Sequence, residues 1–181
     1  LKNNPRYFET NMVWTLFCAE EELEGEVIIS YGDIVYSRHV LQALLKSTAD
    51  IAVAIDKGWK DYWSSRSDNL LDDVETLKLC KDGTISEIGQ KPKSLDEIEG
   101  QYIGLMKVSK SALSKLIKFY ETLDRSKIYD GKDFYNMYMT SLIQQIIDNL
   151  TDVKPVFING GWIEIDSGED IKNYTKNGII F

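Results

Sequence analysis

The chain has 181 residues, 43% of them hydrophobic and 28% charged, the balance of one soluble domain with a buried core. Its formal net charge of −8 argues against nucleic acid or an anionic membrane surface as partner, although Mg²⁺ can still bring phosphates to an acidic protein. No apolar stretch approaches the ~20 residues of a transmembrane helix, no signal peptide is visible, and Cys18 and Cys80 fall in no metal-ligand spacing, so they read as reduced packing residues of a cytoplasmic protein.

The elements alternate along the chain. Thr10 is placed to cap a helix that turns Trp14, Phe17 and Cys18 inward. The β-branched run at 27–30 leads into Tyr31-Gly32-Asp33 and reads as a buried strand with a carboxylate at its C-terminal end, where α/β sheets bind ligands. The alternative is Asp33 capping the next helix. Ser37 is the expected cap of a helix with Val40, Leu41, Leu44 and Leu45 on one face. Residues 51–55, Ile-Ala-Val-Ala-Ile, have the composition of a strand buried on both faces.

Residues 57–73 are the one loose stretch. Beyond it, two alternating runs at 75–79 and 84–88 flank Lys81-Asp82-Gly83, a strong hairpin signal. A strand at 101–107 precedes an amphipathic helix at 109–120 carrying Leu113, Leu116, Ile117 and Tyr120. Met139, Leu142, Ile143, Ile146, Ile147 and Leu150 form a stripe of helical period. Strands at 154–158 and 162–165 and a helix at 167–176 close the chain. The reading is a single α/β domain over residues 1–181, three layers (α/β/α) around a mostly parallel mixed sheet.

Several side chains carry candidate chemistry. Asp33 on a rigid strand end is a hard ligand suited to Mg²⁺. Residues 160–170 repeat that design, a strand running through Glu164 and Asp166 into an acidic turn and a helix. Strand alternation aims Glu164 at the same face as Asp166, either toward a metal or into solvent. Asp170 belongs to the first helical turn, where it complements the dipole. Pro92 biases Lys91 toward an extended backbone that projects its ammonium outward. Trp59, Tyr62 and Trp63, with Asp61, Asp68, Asp72 and Asp73 close by, read either as cover for a sheet edge or as an aromatic box for an ammonium ion. Asp133, Asn136, Tyr138 and Thr140 precede the 143–150 helix, which one of them is placed to cap. His39, the single histidine, reads as a surface or half-buried residue.

These segments together resemble the phosphocholine cytidylyltransferase type of sugar-phosphate nucleotidyltransferase. The resemblance rests on Arg6-Tyr7-Phe8-Glu9-Thr10-Asn11, Tyr31-Gly32-Asp33, Gly89-Gln90-Lys91-Pro92-Lys93, Gln101-Tyr102-Ile103-Gly104-Leu105 and Trp162-Ile163-Glu164-Ile165-Asp166, in order along nearly the whole chain. It implies a glycosyltransferase-A-like fold and transfer of a nucleotidyl group, CTP being the expected donor, to a small phosphate or phosphonate acceptor such as phosphocholine. It also implies Mg²⁺ on Asp33 and Asp166 with Glu164 beside them, Lys91 on the acceptor phosphate, and Trp59, Tyr62 and Trp63 around a choline-like group. The pairing of Asp33 with Asp166 comes from the resemblance alone.

The family's N-terminal strand and glycine-rich triphosphate loop have no counterpart here, since the chain begins at Leu1 past that region. The resemblance therefore implies a piece that folds without catalysing and that is either marginally stable or paired with another chain through an exposed strand edge. Three alternatives stay open: a sugar-1-phosphate nucleotidyltransferase, a metal-dependent glycosyltransferase of the same fold, and a non-catalytic part of a larger bifunctional enzyme. The glycosyltransferases usually carry Asp-x-Asp, where this chain has Asp33-Ile34-Val35.

Overall fold

The computed structural model describes residues 1–60, 71 and 74–176. Its centre is β3 (Ile51–Asp56), in which every residue is buried. A strand sealed on both faces needs neighbours on both edges. They are β6 (Gln101–Val108), antiparallel, and β7 (Lys154–Ile158), parallel; β1 (Val27–Ser30) extends the sheet antiparallel to β6, in the order β1-β6-β3-β7. The sheet is thus mixed as expected, and its parallel part among the described residues is the β3–β7 pair.

Side-chain size sorts the two faces. Ile51, Val53 and Ile55 point into the larger core with Leu113 and Leu116 of α3 (Lys110–Thr122), Ile143 and Ile146 of α4 (Met139–Asn149), and Val13 and Phe17 of α1 (Met12–Phe17). Ala52 and Ala54 face the other way, where small side chains admit Val40 and Leu44 of α2 (Arg38–Lys46). The three-layer expectation follows from that alternation. The predicted hairpin is β4 (Leu77–Leu79) with β5 (Ile85–Ile88), closed by Cys80 N–H donating to the Thr84 carbonyl at 2.8 Å. No helix among the described residues is long and apolar enough to cross a membrane.

Two caps differ from expectation. Asn11, not Thr10, caps α1, its side chain accepting from Met12 N–H at 2.8 Å, while the Thr10 hydroxyl donates to the Arg6 carbonyl. Ser37 precedes α2 but makes no cap bond, because its hydroxyl is engaged with His39 Nδ1 at 2.8 Å.

The buried strand expected to end in Asp33 stops at Ser30, and of its four residues only Ile29 is buried. After β1 the chain turns through Tyr31-Gly32-Asp33 and enters β2 (Ile34–Tyr36), which pairs antiparallel with β8 (Trp162–Glu164) in a two-stranded ribbon apart from the central sheet. The last helix, α5 (Gly168–Lys176), follows β8.

Candidate functional site

The β2–β8 ribbon brings the two acidic segments together. Its register opposes Ile34 to Glu164, and Ile165 N–H donates to the Asp33 carbonyl at 2.8 Å, so the turn before β2 lies against the end of β8. Side-chain oxygens of Asp33, Glu164 and Asp166 all lie within 4.8 Å of one another, with Asp33 and Asp166 exposed and Glu164 half-buried. Three carboxylates with solvent beside them are an all-oxygen donor set, which suits Mg²⁺ with waters completing its shell. Nitrogen or sulfur donors that would favour a softer ion are missing from the group. Ser167 and Asp170 fix the far side of the segment: Asp170 Oδ2 accepts from Ser167 N–H at 2.8 Å, and Ser167 Oγ accepts from Asp170 N–H at 3.2 Å. This reciprocal capping box starts α5 directly after Asp166.

Sequence reading missed the residue that holds this segment in place. Asp56 ends β3 with only 1% exposure. Its Oδ1 accepts from Gly58 N–H at 2.8 Å and Gly160 N–H at 2.9 Å, and its Oδ2 from Trp162 Nε1–H at 2.9 Å. A buried carboxylate thus pins the Gly160-Gly161-Trp162 turn from which β8 emerges. The turn requires its second glycine: Gly161 has φ of +79°, and a Cβ there would sit 2.5 Å from His39 Cε1. The available signal was the one used for Asp33, a carboxylate ending an apolar strand.

Beside the triad lies a cavity of about 210 Å³ lined by Tyr31, Glu75, Gln101, Tyr102, Tyr138 and Glu164, among others. Tyr31 reaches it because β6 carries a bulge at Gly104, where φ is +80° and a Cβ would come within 2.4 Å of the Tyr31 ring. Burial raises the Tyr31 and Tyr102 hydroxyls well above the usual phenol range; for Tyr31 the charges of Glu75, Asp33 and Glu164 act in the same direction. Burial likewise lifts Glu75 above the ordinary carboxylate range, against a lowering contribution from the Thr140 hydroxyl. A second cavity of about 420 Å³ shares Glu75 and Tyr138 and is also lined by Gln90, Lys91 and Asp130.

Lys91 therefore stands on the same side of the molecule as the cavities, exposed, its ammonium donating to the Leu71 carbonyl. Trp59 is placed differently from an open ammonium box. It is 2% exposed and packs with Val74, Ile98 and Leu71, with the Lys60 ammonium 5.6 Å from its ring centroid. Tyr62 and Trp63, with Asp61, Asp68, Asp72 and Asp73, lie outside the described residues. Asp133 caps the short turn Phe134–Asn136, and α4 begins after Tyr138 without a side-chain cap.

Comparison with known proteins adds the following. No family model matches the chain. The chain is 46% identical over 175 residues to the CTP:phosphoglutamine cytidylyltransferase of Campylobacter jejuni, covering 93% of this chain and 69% of that protein. Among solved structures it is similar to the inositol-1-phosphate CTP transferase from T. maritima, with a TM-score of 0.63 and 20% identity over 94% of this chain and 62% of that one. It is also similar to the CTP:phosphocholine cytidylyltransferase from Streptococcus pneumoniae, with a TM-score of 0.61 and 18% identity over 96% of this chain and 66% of that one. At such identities the structures speak for the fold, which is the glycosyltransferase-A-like one expected. The chain spans less than two thirds of the length of either structure.

Proposed function

We propose a cytidylyltransferase reaction from one premise: the chain belongs to the nucleotidyltransferase family. The proposed donor is CTP and the proposed acceptor a phosphorylated amino-acid amide of the phosphoglutamine kind, in place of phosphocholine. The 46% identity to a phosphoglutamine enzyme supports that choice. The observation that carries the reading is the convergence of Asp33, Glu164 and Asp166, from segments far apart in the chain, beside a cavity with room for part of a small acceptor.

In the proposed step a phosphoryl oxygen of the acceptor forms a bond to the α-phosphorus of CTP. The bond from that phosphorus to the bridging oxygen of pyrophosphate breaks, and pyrophosphate leaves. The attacking oxygen is already ionised, so no general base is required, and catalysis is positioning and charge neutralisation. Asp33, Glu164 and Asp166 would hold Mg²⁺, which when bound neutralises charge on the α-phosphate. Lys91 contributes a point charge to the acceptor phosphate, and the half-buried wall of Tyr31 and Tyr102 excludes water from one side of the site.

The test is release of pyrophosphate from CTP by the full-length protein in the presence of Mg²⁺ and phosphoglutamine. Release that depends on the acceptor supports the reading. Equal release with a sugar 1-phosphate, or none with either acceptor, overturns it. Within this reaction Lys91→Ala is expected to raise the acceptor KM about tenfold, the effect of losing roughly 1.4 kcal/mol of charge-assisted binding, and to leave the KM for CTP within about twofold. A change of similar size in both constants removes the assignment of Lys91 to the acceptor.

A further inference from the structure

We propose that Glu75, which lines one cavity with Tyr31 and Tyr102, is the subsite for an ammonium group on the acceptor, an inference that rests on the cytidylyltransferase reading above. Glu75 borders both cavities. Among the described residues no Lys or Arg forms an ion pair with it, and its side chain's one polar partner is the Thr140 hydroxyl at the long distance of 3.5 Å. The neighbouring wall adds negative charge, since Asp130 faces the second cavity and, among the described residues, accepts only from the neutral Gln90 amide, at 2.7 Å. Lys91 lines that cavity as well, with its ammonium donating to the Leu71 carbonyl.

A second, independent observation lies in the same cavity. Among the described residues the buried Tyr102 hydroxyl has no hydrogen-bond partner, although Tyr102 lines the same cavity as Glu75. Tyr31 and Tyr102 stand edge to face, with centroids 5.9 Å apart, so the cavity offers aromatic surface next to the carboxylate. A desolvated carboxylate without a cation is destabilising by itself. Burial keeps its proton affinity high, and a bound ammonium would supply the missing charge. Aromatic faces add cation–π attraction. An amino acid phosphorylated on its side chain carries such an ammonium, and Glu164 of the triad borders the same cavity toward which the phosphate end would lie.

The experiment is calorimetric titration of the full protein with phosphoglutamine and with its analogue bearing hydrogen in place of the α-ammonium. The wild type is expected to prefer phosphoglutamine by about tenfold or more. Glu75→Gln keeps the shape and removes the charge; it is expected to bind both compounds alike while melting at the same or a higher temperature at pH 7. The sign follows from the raised folded-state affinity for a proton. Such a carboxyl loses stability as pH rises from its unfolded value through its folded one, so deleting the charge does not destabilise the unliganded protein at pH 7. If the Gln variant fails to fold, Glu75→Asp, which withdraws the charge by one methylene, is expected to cut the preference several-fold.

A wild type indifferent to the ammonium, no binding of phosphoglutamine, or a preference that survives the Gln or Asp change each overturns the subsite. Ammonium-dependent binding without pyrophosphate release supports the subsite and overturns the cytidylyl-transfer reading instead.

Discussion

Asp33→Asn is expected to lower kcat by about a thousandfold at saturating Mg²⁺, a loss of roughly 4 kcal/mol of transition-state stabilisation. Asp166→Asn should behave alike, because both carboxylates belong to one oxygen cluster and either deletion halves the charge that the exposed ligands supply. The folding free energy should move by less than about 0.5 kcal/mol, since both side chains are exposed and removing a like charge relieves repulsion. Steady-state kinetics over a Mg²⁺ series, with urea unfolding alongside, checks both halves. Turnover near normal in either variant would remove the shared metal site from the mechanism.

Asp56→Asn tests a different kind of contribution. Asp56 touches no proposed substrate, yet it accepts three hydrogen bonds while almost wholly buried. An amide has a single oxygen, so its NH₂ must face either the Trp162 indole N–H or the Gly58 and Gly160 amides, and one set of donors loses its acceptor. Hydrogen bonds to a charged acceptor contribute about 1.5–3 kcal/mol each, and an orphaned buried donor costs about 1–3 kcal/mol. The expected loss is about 3 kcal/mol by urea unfolding. Activity should fall with it even well below the melting temperature, because the turn leading to Glu164 and Asp166 loses its anchor. An Asn variant as stable and as active as the parent would show that the turn is held by its own backbone.

Most helices and strands were legible because their signals are local and repeated. The stripe from Met139 through Ile146 has one period, and α4 buries those positions. Lys154–Ile158 is a strand at the limits expected for it. The choice between Thr10 and Asn11 as cap was not legible: both are competent acceptors, and the Arg6 carbonyl that engages Thr10 belongs to a turn without periodicity. The ribbon was hidden because β2 has only three residues, too few for alternation to register, and its partner β8 comes from the other end of the chain.

The three carboxylates of the triad were named from sequence, but what joins them there was likeness to a family rather than anything in their spacing. The burial of Trp59 depends on Val74 and Ile98, which nothing near Trp59 announces. Glu75 read as an ordinary polar position of an alternating strand. Its surroundings are set by Tyr31 and Tyr102, which a glycine bulge and a sheet pairing bring in from elsewhere.

The small size of the β2–β8 ribbon makes it a reporter. Three residue pairs outside the main sheet open at low free-energy cost compared with the core strands, so their amides should exchange with solvent through local openings. The Ile165 amide, which donates to the Asp33 carbonyl, belongs to the closed ribbon only. A cation held by Asp33 and Asp166 would bind the closed ribbon in preference to the open one, and mass action would then favour the closed form. Deuterium uptake at Ile165 should slow as Mg²⁺ is added while β3 stays unchanged, so a single amide can be read as an occupancy gauge for the acidic cluster, with no nucleotide or turnover required.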